Sequence, residues 1–196
     1  MKTMMVTRSD CVLLVIDVQD RIIDTITEHA ATVQNIKALI ETAQALNIPV
    51  LVTEQENLGD TVSELKNVLT GGKFRKATFS CSRDSEFMRN LIATGKRTAI
   101  ACGIETHICV EQTVLDLLKH RYEVLVVRDA TSSHAIIDRE TALQRMQDTG
   151  AAITTTEAII YELTERAGTD EFRKILGIIK EKRMRTPQHG NFESYH

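Results

Sequence analysis

The sequence predicts an α/β fold: a doubly wound, mostly parallel sheet covered by helices on both faces. Short apolar runs without polar alternation recur along the chain, which is typical of strands buried on both sides. Five such runs are CVLLVI (11–16), PVLVT (49–53), TAIAC (98–102), EVLVVR (123–128) and AAITT (151–155). Segments of helix length separate the runs, so we expect five or six strands in three layers, α/β/α, with the strand order 3-2-1-4-5-6.

Helical periodicity fills the gaps between these runs. Apolar side chains recur every three to four positions within residues 29–47, as they do along one face of a helix. Similar patterns predict further helices over 106–120, 138–149, 157–166 and 170–182. The last residues, 183–196, have no period. We therefore expect one domain over residues 1–182 and a C-terminal tail that is either disordered or an arm packed on a neighbouring subunit.

Composition argues against several classes of function. A length of 196 residues with 42% hydrophobic residues suits one domain with a sizeable core. The sequence shows no apolar stretch long enough to span a bilayer and no secretory signal, so we expect a cytoplasmic protein with no membrane partner. The formal net charge of -3 and the scattered basic residues argue against nucleic acid as a partner.

The four cysteines have different sequence environments. No CxxC pair is present, which argues against a zinc knuckle or a thioredoxin-type site. Cys11 and Cys102 lie in apolar runs and are interpreted as small buried side chains. Cys109 lies near the start of the helix after the fourth strand, where the helix dipole would lower the pKa of its thiol; a buried thiol facing the sheet is the alternative. Cys81 is a rival nucleophile, but nothing obvious in its loop-like segment would deprotonate it.

Two charged residues occupy positions where ligands bind in such folds. Ligands of open parallel sheets bind beyond the carboxyl ends of the strands, and Asp17 directly follows the first apolar run. Its carboxylate is either a general base and acid or a helix cap or loop anchor. Lys76 lies in a basic segment with Lys73 and Arg75 and would be solvated unless it neighbours Asp17 and Cys109, where it would stabilise a thiolate.

The sequences around these residues resemble the isochorismatase-like cysteine hydrolases, a superfamily that also contains nicotinamidases and N-carbamoyl amide hydrolases. LLVIDVQD (13–20) is similar to the first-strand motif of that superfamily, and RKATFSC (75–81) is similar to its lysine motif. CGIETHICVEQTVLDLLKHRYEVLVVRDATSSH (102–134) is similar to the nucleophile region. The likeness runs from about residue 10 to 180. TEQ (53–55) and TTTEAIIYEL (154–163) resemble the branch of isochorismatase domain-containing proteins.

The resemblance implies roles for individual residues. Asp17 would be the acid and base, Lys76 its cationic partner and Cys109 the nucleophile. A non-proline cis peptide is implied at Ile104–Glu105, with an oxyanion hole formed by the N–H groups of Glu105 and Cys109. Four further residues near these motifs are candidates for substrate binding: Gln19, Gln55, Phe79 and His107.

One departure from the superfamily concerns metal binding. The nicotinamidase branch binds a divalent metal through an Asp-x-His cluster after the second strand, together with a further histidine. Here the corresponding segment, TEQENLGDTVSEL, has no histidine, and none occurs between His29 and His107. The six histidines show no ligand spacing. We therefore expect no metal and no cofactor, and nicotinamide becomes a poor candidate substrate.

Together, these observations predict a metal-independent cysteine hydrolase that acts on a small molecule and forms a homo-oligomer. The expected reaction is cleavage of a C–N amide-type bond through an acyl-enzyme on Cys109. The alternatives are an isochorismatase-type vinyl-ether hydrolase, which needs no acyl-enzyme, and a non-catalytic scaffold that keeps the fold. A redox protein is disfavoured because no CxxC pair is present. We expect the Asp17 carboxylate, the Lys76 ammonium and the Cys109 sulfur within about 3–6 Å of one another.

Overall fold

The computed structural model describes residues 5–185. Its strands are β1 (Cys11–Ile16), β2 (Val50–Gln55), β3 (Lys73–Lys76), β4 (Thr98–Ile104), β5 (Glu123–Ser132) and β6 (Ala152–Thr154). Its helices are α1 (His29–Ala45), α2 (Ser63–Lys66), α3 (Ser85–Ala93), α4 (Glu111–Lys119), α5 (Ile136–Asp148), α6 (Thr156–Thr164) and α7 (Asp170–Arg185). A π-helical turn, Thr106–Val110, precedes α4.

The six strands form one parallel sheet in the order β3-β2-β1-β4-β5-β6, which confirms the predicted fold class and strand order. β1 lies between β2 and β4, so the carboxyl end of β1 is flanked by the ends of two other strands. The direction in which strands are added reverses between β1 and β4. A crevice at such a reversal is the usual ligand site of this architecture.

Each face of the sheet has its own core. In β1, Leu13 and Val15 belong to the apolar cluster that includes side chains of α1, α6 and α7. Val12 and Leu14 belong to the cluster that includes side chains of α3, α4 and α5. Side chains alternate between the two faces of a strand, so a strand covered on both sides is apolar throughout. All six residues of β1 are accordingly buried.

Several element boundaries differ from those expected from the sequence. Residues 73–76, which lie outside the five apolar runs, form β3, because their backbone pairs with β2. β5 continues beyond residue 128 to Ser132, after a register shift between Ala101 and Gly103 in its pairing with β4. The helix expected over 106–120 consists of the π-helical turn and α4.

The C-terminal end is described only in part. α7 continues to Arg185, three residues beyond the expected domain end at 182. The remainder of the predicted tail, 186–196, lies outside the described residues, so its role as an arm stays a prediction. Within residues 5–185, no helix is both long and apolar enough to cross a membrane.

Candidate active site

Asp17 is the first residue after β1, and its backbone turns there into the left-handed region with φ of 52°. The side chain is 1% exposed. Its Oδ1 accepts a hydrogen bond of 2.7 Å from the hydroxyl of Thr53 on β2, and its Oδ2 accepts one of 2.6 Å from the Lys76 ammonium. Both carboxylate oxygens therefore have partners, which a buried carboxylate requires.

Lys76 ends β3, and its side chain is 0% exposed. Besides Asp17, its Nζ donates to Gln55 Oε1 at 2.8 Å and to the carbonyl oxygens of Thr78 and Phe79 at 3.1 and 3.2 Å. Burial favours the neutral amine, but the Asp17 carboxylate, together with the two nearby cysteines, outweighs it, so the pKa of Lys76 lies above its ordinary value. The lysine is charged, and its three hydrogens have four protein oxygens within hydrogen-bond distance.

Cys109 is the fourth residue of the π-helical turn and is 5% exposed. Burial raises the pKa of its thiol well above the ordinary value, and the negative charge of the nearby Asp17 carboxylate raises it further. Lys76 acts in the opposite direction but does not offset these effects. The expectation of a lowered thiol pKa is therefore wrong, because burial and a neighbouring carboxylate outweigh the helix N-terminus. The resting thiol is protonated.

The end of β4 passes unusually close to the end of β1. Gly103 lies opposite Ile16 in the β1–β4 register and has φ of 127°. A Cβ at this position would lie 2.1 Å from the carbonyl oxygen of Ile16, so only glycine fits. The following peptide bond, Ile104–Glu105, is cis. This segment leads directly into the π-helical turn that carries Cys109.

Two threonines that the sequence analysis did not single out join the site residues. Thr53 Oγ1 lies between Asp17 Oδ1 and the Cys81 sulfur, which donates to it at 3.6 Å. Thr113 Oγ1 accepts from the Cys81 N–H at 2.9 Å and donates to the Cys109 carbonyl at 2.6 Å. The sequence does carry a signal for Thr53, because this hydroxyl ends the second apolar run, PVLVT, just as Asp17 follows the first. Thr113 lies on α4, where only the packing of the helix reveals its role.

The remaining cysteines are fully buried. Cys11 and Cys102 are 0% exposed, which confirms that they are core side chains. Cys81 is also 0% exposed, and burial raises the pKa of its thiol to about 11. Cys81 nevertheless interacts electrostatically with Asp17 and Lys76, so it lies nearer to the charged groups than its loop-like sequence indicated. Cys109 is the cysteine with exposed surface among these four.

The four candidate substrate-binding residues have different surroundings. Gln19 is fully buried, and its side-chain amide forms hydrogen bonds with the backbone of Gln55 and Gly59. Phe79 is 54% exposed next to the Lys76 ammonium, to which its carbonyl is bonded. His107 is half-buried, with Nδ1 3.0 Å from the hydroxyl of Ser133. Gln55 contacts Lys76 directly, as described above. Their contact with substrate stays a prediction.

The sequence model of the isochorismatase domain matches residues 11–158, which include Asp17, Lys76 and Cys109. The chain belongs to the isochorismatase family. This confirms the resemblance noted in the sequence, and membership of the isochorismatase family supports a hydrolase. The match extends from β1 to the start of α6 and so covers the whole parallel sheet.

Relatives of the chain within the isochorismatase family are similar over most of its length. The secreted isochorismatase effector Isc1 of Phytophthora sojae is 39% identical over 178 residues, 87% of this chain and 84% of that protein. Isochorismatase domain-containing protein 1 of Salmo salar is 38% identical over 84% of this chain but only 59% of its own length. The solved structure of the MAR1 ribonuclease from Caenorhabditis elegans has a TM-score of 0.86 and 32% identity, covering 97% of this chain and 98% of that one.

The segment in which the resemblance places the metal ligands of nicotinamidases begins at the end of β2. Gln55 ends β2, and its amide contacts the Lys76 ammonium and the Ala77 carbonyl. Across residues 5–185, no three or more His, Cys, Asp or Glu side chains are grouped so as to hold a metal ion.

Proposed function

We propose that the protein is a metal-independent cysteine hydrolase that cleaves a C–N amide-type bond in a small molecule, with Asp17, Lys76 and Cys109 as its catalytic triad. The observation that carries the proposal is the fully buried ion pair of Asp17 and Lys76, 2.6 Å apart, beside the Cys109 thiol. A carboxylate that lies beside a protonated thiol can accept its proton as the sulfur attacks.

The first chemical step is attack of sulfur on the substrate carbonyl. As the S–C bond forms, the thiol proton passes to the Asp17 carboxylate, so no free thiolate has to accumulate in the buried site. The carbonyl oxygen gains negative charge, and the N–H groups of Glu105 and Cys109 are the proposed donors that stabilise it.

The second half of the reaction restores the enzyme. Protonated Asp17 gives its proton to the leaving nitrogen as the C–N bond breaks, which leaves a thioester on Cys109 and releases an amine. Asp17 then accepts a proton from a water molecule that attacks the thioester. The acid product leaves, and the sulfur regains its proton from Asp17, so the sum is amide plus water to acid plus amine.

Lys76 contributes charge rather than a proton in this scheme. All three N–H groups of its ammonium already donate hydrogen bonds to protein oxygens, so none is left to bind a substrate carboxylate. Its positive charge acts to lower the pKa of the Cys109 thiol and so opposes part of the effect of the Asp17 carboxylate. This favours amide hydrolysis over vinyl-ether hydrolysis of isochorismate, a dianion that a free cation would help to bind.

The proposal is tested with a panel of small primary amides, N-carbamoyl compounds, isochorismate and RNA. We expect turnover of an amide-type substrate by the wild type and by Cys81→Ala, no turnover by Cys109→Ala, and a mass increase on Cys109 when the reaction is quenched. Full activity of Cys109→Ala would contradict the assignment of Cys109 as the nucleophile. Cys109-dependent cleavage of RNA alone, the activity after which the Caenorhabditis elegans ribonuclease is named, would contradict the small-molecule substrate.

The assembly and location of the protein are part of the proposal. Large apolar side chains are exposed at Phe79, Ile136 and Ile137, by 54%, 56% and 72%, and subunit contacts would cover such residues. We expect a homo-oligomer by light scattering at micromolar concentration, and a monomer mass would contradict it. Four free thiols suit a reducing compartment, so we expect the protein in the cytoplasmic fraction of its cell.

A further inference from the structure

The side-chain amide of Gln55 lies between two groups that fix its orientation. Its Oε1 accepts a hydrogen bond of 2.8 Å from the Lys76 ammonium, and its Nε2 donates one of 2.8 Å to the carbonyl of Ala77. An ammonium can only donate and a carbonyl can only accept, so a rotated amide would lose both bonds. Gln55 therefore presents an oxygen to Lys76.

The backbone of Gln55 is held just as firmly. Its N–H donates to Gln19 Oε1 at 2.8 Å, and its carbonyl accepts from Gln19 Nε2 at 3.0 Å. The same Nε2 lies 2.7 Å from the carbonyl of Gly59. Gln55 is also the register partner of Lys76 in the β2–β3 pairing. Gln19 thus clamps the residue that contacts the lysine, and all of its amide contacts are with protein.

The flexible stem of a lysine needs such contacts if its charge is to stay in one place. The Asp17 carboxylate is one anchor for the Lys76 ammonium, and Gln55 Oε1 is a second one on a neighbouring strand. The Thr78 and Phe79 carbonyls, at 3.1 and 3.2 Å, take up the remaining hydrogen. Without Gln55, the ammonium has no side-chain anchor except the carboxylate that has to shuttle protons.

We propose that Gln55, clamped by Gln19, is a positioning residue that keeps the Lys76 ammonium beside Asp17 and Cys109 while Asp17 gains and loses its proton. The inference rests on the proposed function, but it replaces the expected role of Gln55 in binding substrate. It also assigns Gln19 a supporting role.

The test compares Gln55→Met and Gln55→Asn with Gln44→Met, a control that removes a similar bond, from Gln44 Nε2 to the Val68 carbonyl at 2.7 Å, from a site not linked to Lys76. Methionine has a side chain of similar length to glutamine but no strong hydrogen-bond acceptor, and asparagine has the same amide group on a shorter side chain. The readout is the pH dependence of Cys109 alkylation by iodoacetamide, which needs no substrate. Both Gln55 variants should shift the midpoint to higher pH, because Lys76 lowers the pKa of the thiol.

Steady-state kinetics on an amide substrate separates positioning from substrate binding. Positioning predicts a fall in kcat of about 10-fold to 100-fold with little change in KM. A raised KM with unchanged kcat and an unchanged alkylation profile would overturn the proposal and support the substrate contact instead. An equal shift in the alkylation profile of Gln44→Met would also overturn it, because the effect would then not be specific to Gln55. If Cys109→Ala stays active, the proposed function fails, whereas the shift in the alkylation profile still tests the Gln55–Lys76 contact.

Discussion

The Asp17 carboxylate and the Lys76 ammonium are 2.6 Å apart in the protein interior, with 1% and 0% of their side chains exposed. Moving two charges out of water costs several kcal/mol per ion, and a buried pair often stabilises a fold no better than apolar side chains of similar volume. We interpret the pair as a means of holding a proton acceptor in a fixed place near the Cys109 thiol, and this has consequences that can be measured separately.

Replacing Asp17 by Asn should make Cys109 more reactive while removing hydrolysis. The negative charge of the carboxylate raises the pKa of the thiol, so its loss lowers that pKa and speeds alkylation at neutral pH. The loss of the base should lower kcat by about 10²–10⁴-fold. Asp24→Asn, at an exposed position after β1, is the control and should change neither rate. Slower alkylation of Asp17→Asn than of the wild type would contradict the assignment.

Replacing Lys76 by Met should destabilise the protein and slow alkylation of Cys109. Removing one partner of a buried ion pair leaves an uncompensated charge, which costs about 3–5 kcal/mol in the free energy of unfolding. The thiol also loses a cation that lowers its pKa. Lys73→Met, on the same strand but paired with Glu54 and 27% exposed, is the matched control. Urea unfolding and the alkylation rate at neutral pH give the two readouts. Faster alkylation in Lys76→Met than in the wild type would contradict the assignment of Lys76 as a cation that lowers the pKa of the Cys109 thiol.

β1 and β3 show how far the sequence predicts the fold. β1 is apolar throughout, because both of its faces are covered, and its bounds match those expected. β3 has the sequence KFRK, in which three of four residues are charged, and its pairing with β2 is a contact between distant segments. Strand propensity depends strongly on such pairing, so local sequence could not identify β3.

The candidate site, like the fold, has features that the sequence predicts and others that depend on packing. The motifs around Asp17, Lys76 and Cys109 indicate chemistry, and the parallel order of β1 and β4 implies that two of these residues meet. Burial of Cys109 and its proximity to the Asp17 charge arise only from packing, so the direction of its pKa shift was not predictable from its position near a helix start. The hydrogen bonds of the Thr113 hydroxyl to the backbone of Cys81 and Cys109 also depend on packing, so the sequence did not predict them.

Gly103→Ala should destabilise the protein far more than Gly150→Ala. Both glycines have positive φ, 127° and 114°, so alanine is strained at either position, by about 1–2 kcal/mol. At Gly103 the new Cβ would also lie 2.1 Å from the Ile16 oxygen, whereas nothing lies within 4 Å at Gly150. Thermal unfolding of both variants measures the difference. Equal melting temperatures would show that the β1–β4 approach tolerates a side chain.

Exhaustive chelation should leave the hydrolase activity unchanged. The amide of Gln55 contacts Lys76 and the Ala77 carbonyl at the position where the nicotinamidase branch has metal ligands. Activity on an identified amide is measured after dialysis against EDTA and again after addition of zinc or manganese. Loss on dialysis with recovery on metal addition would refute metal independence.

Lys76 lies on a four-residue strand at the edge of the sheet, which pairs with β2 on one side. Short edge strands open more readily than central ones, and the exposed charges of Lys73 and Arg75 on β3 discourage pairing with other molecules. The fold therefore carries one of its three proposed catalytic groups on a strand that is paired on one side only, and we expect this strand to open before the central sheet does. Rising urea should abolish turnover before it removes the circular dichroism signal, and amide hydrogens of β3 should exchange sooner than those of β1. Such local melting would make the enzyme reversibly inactive well short of global denaturation.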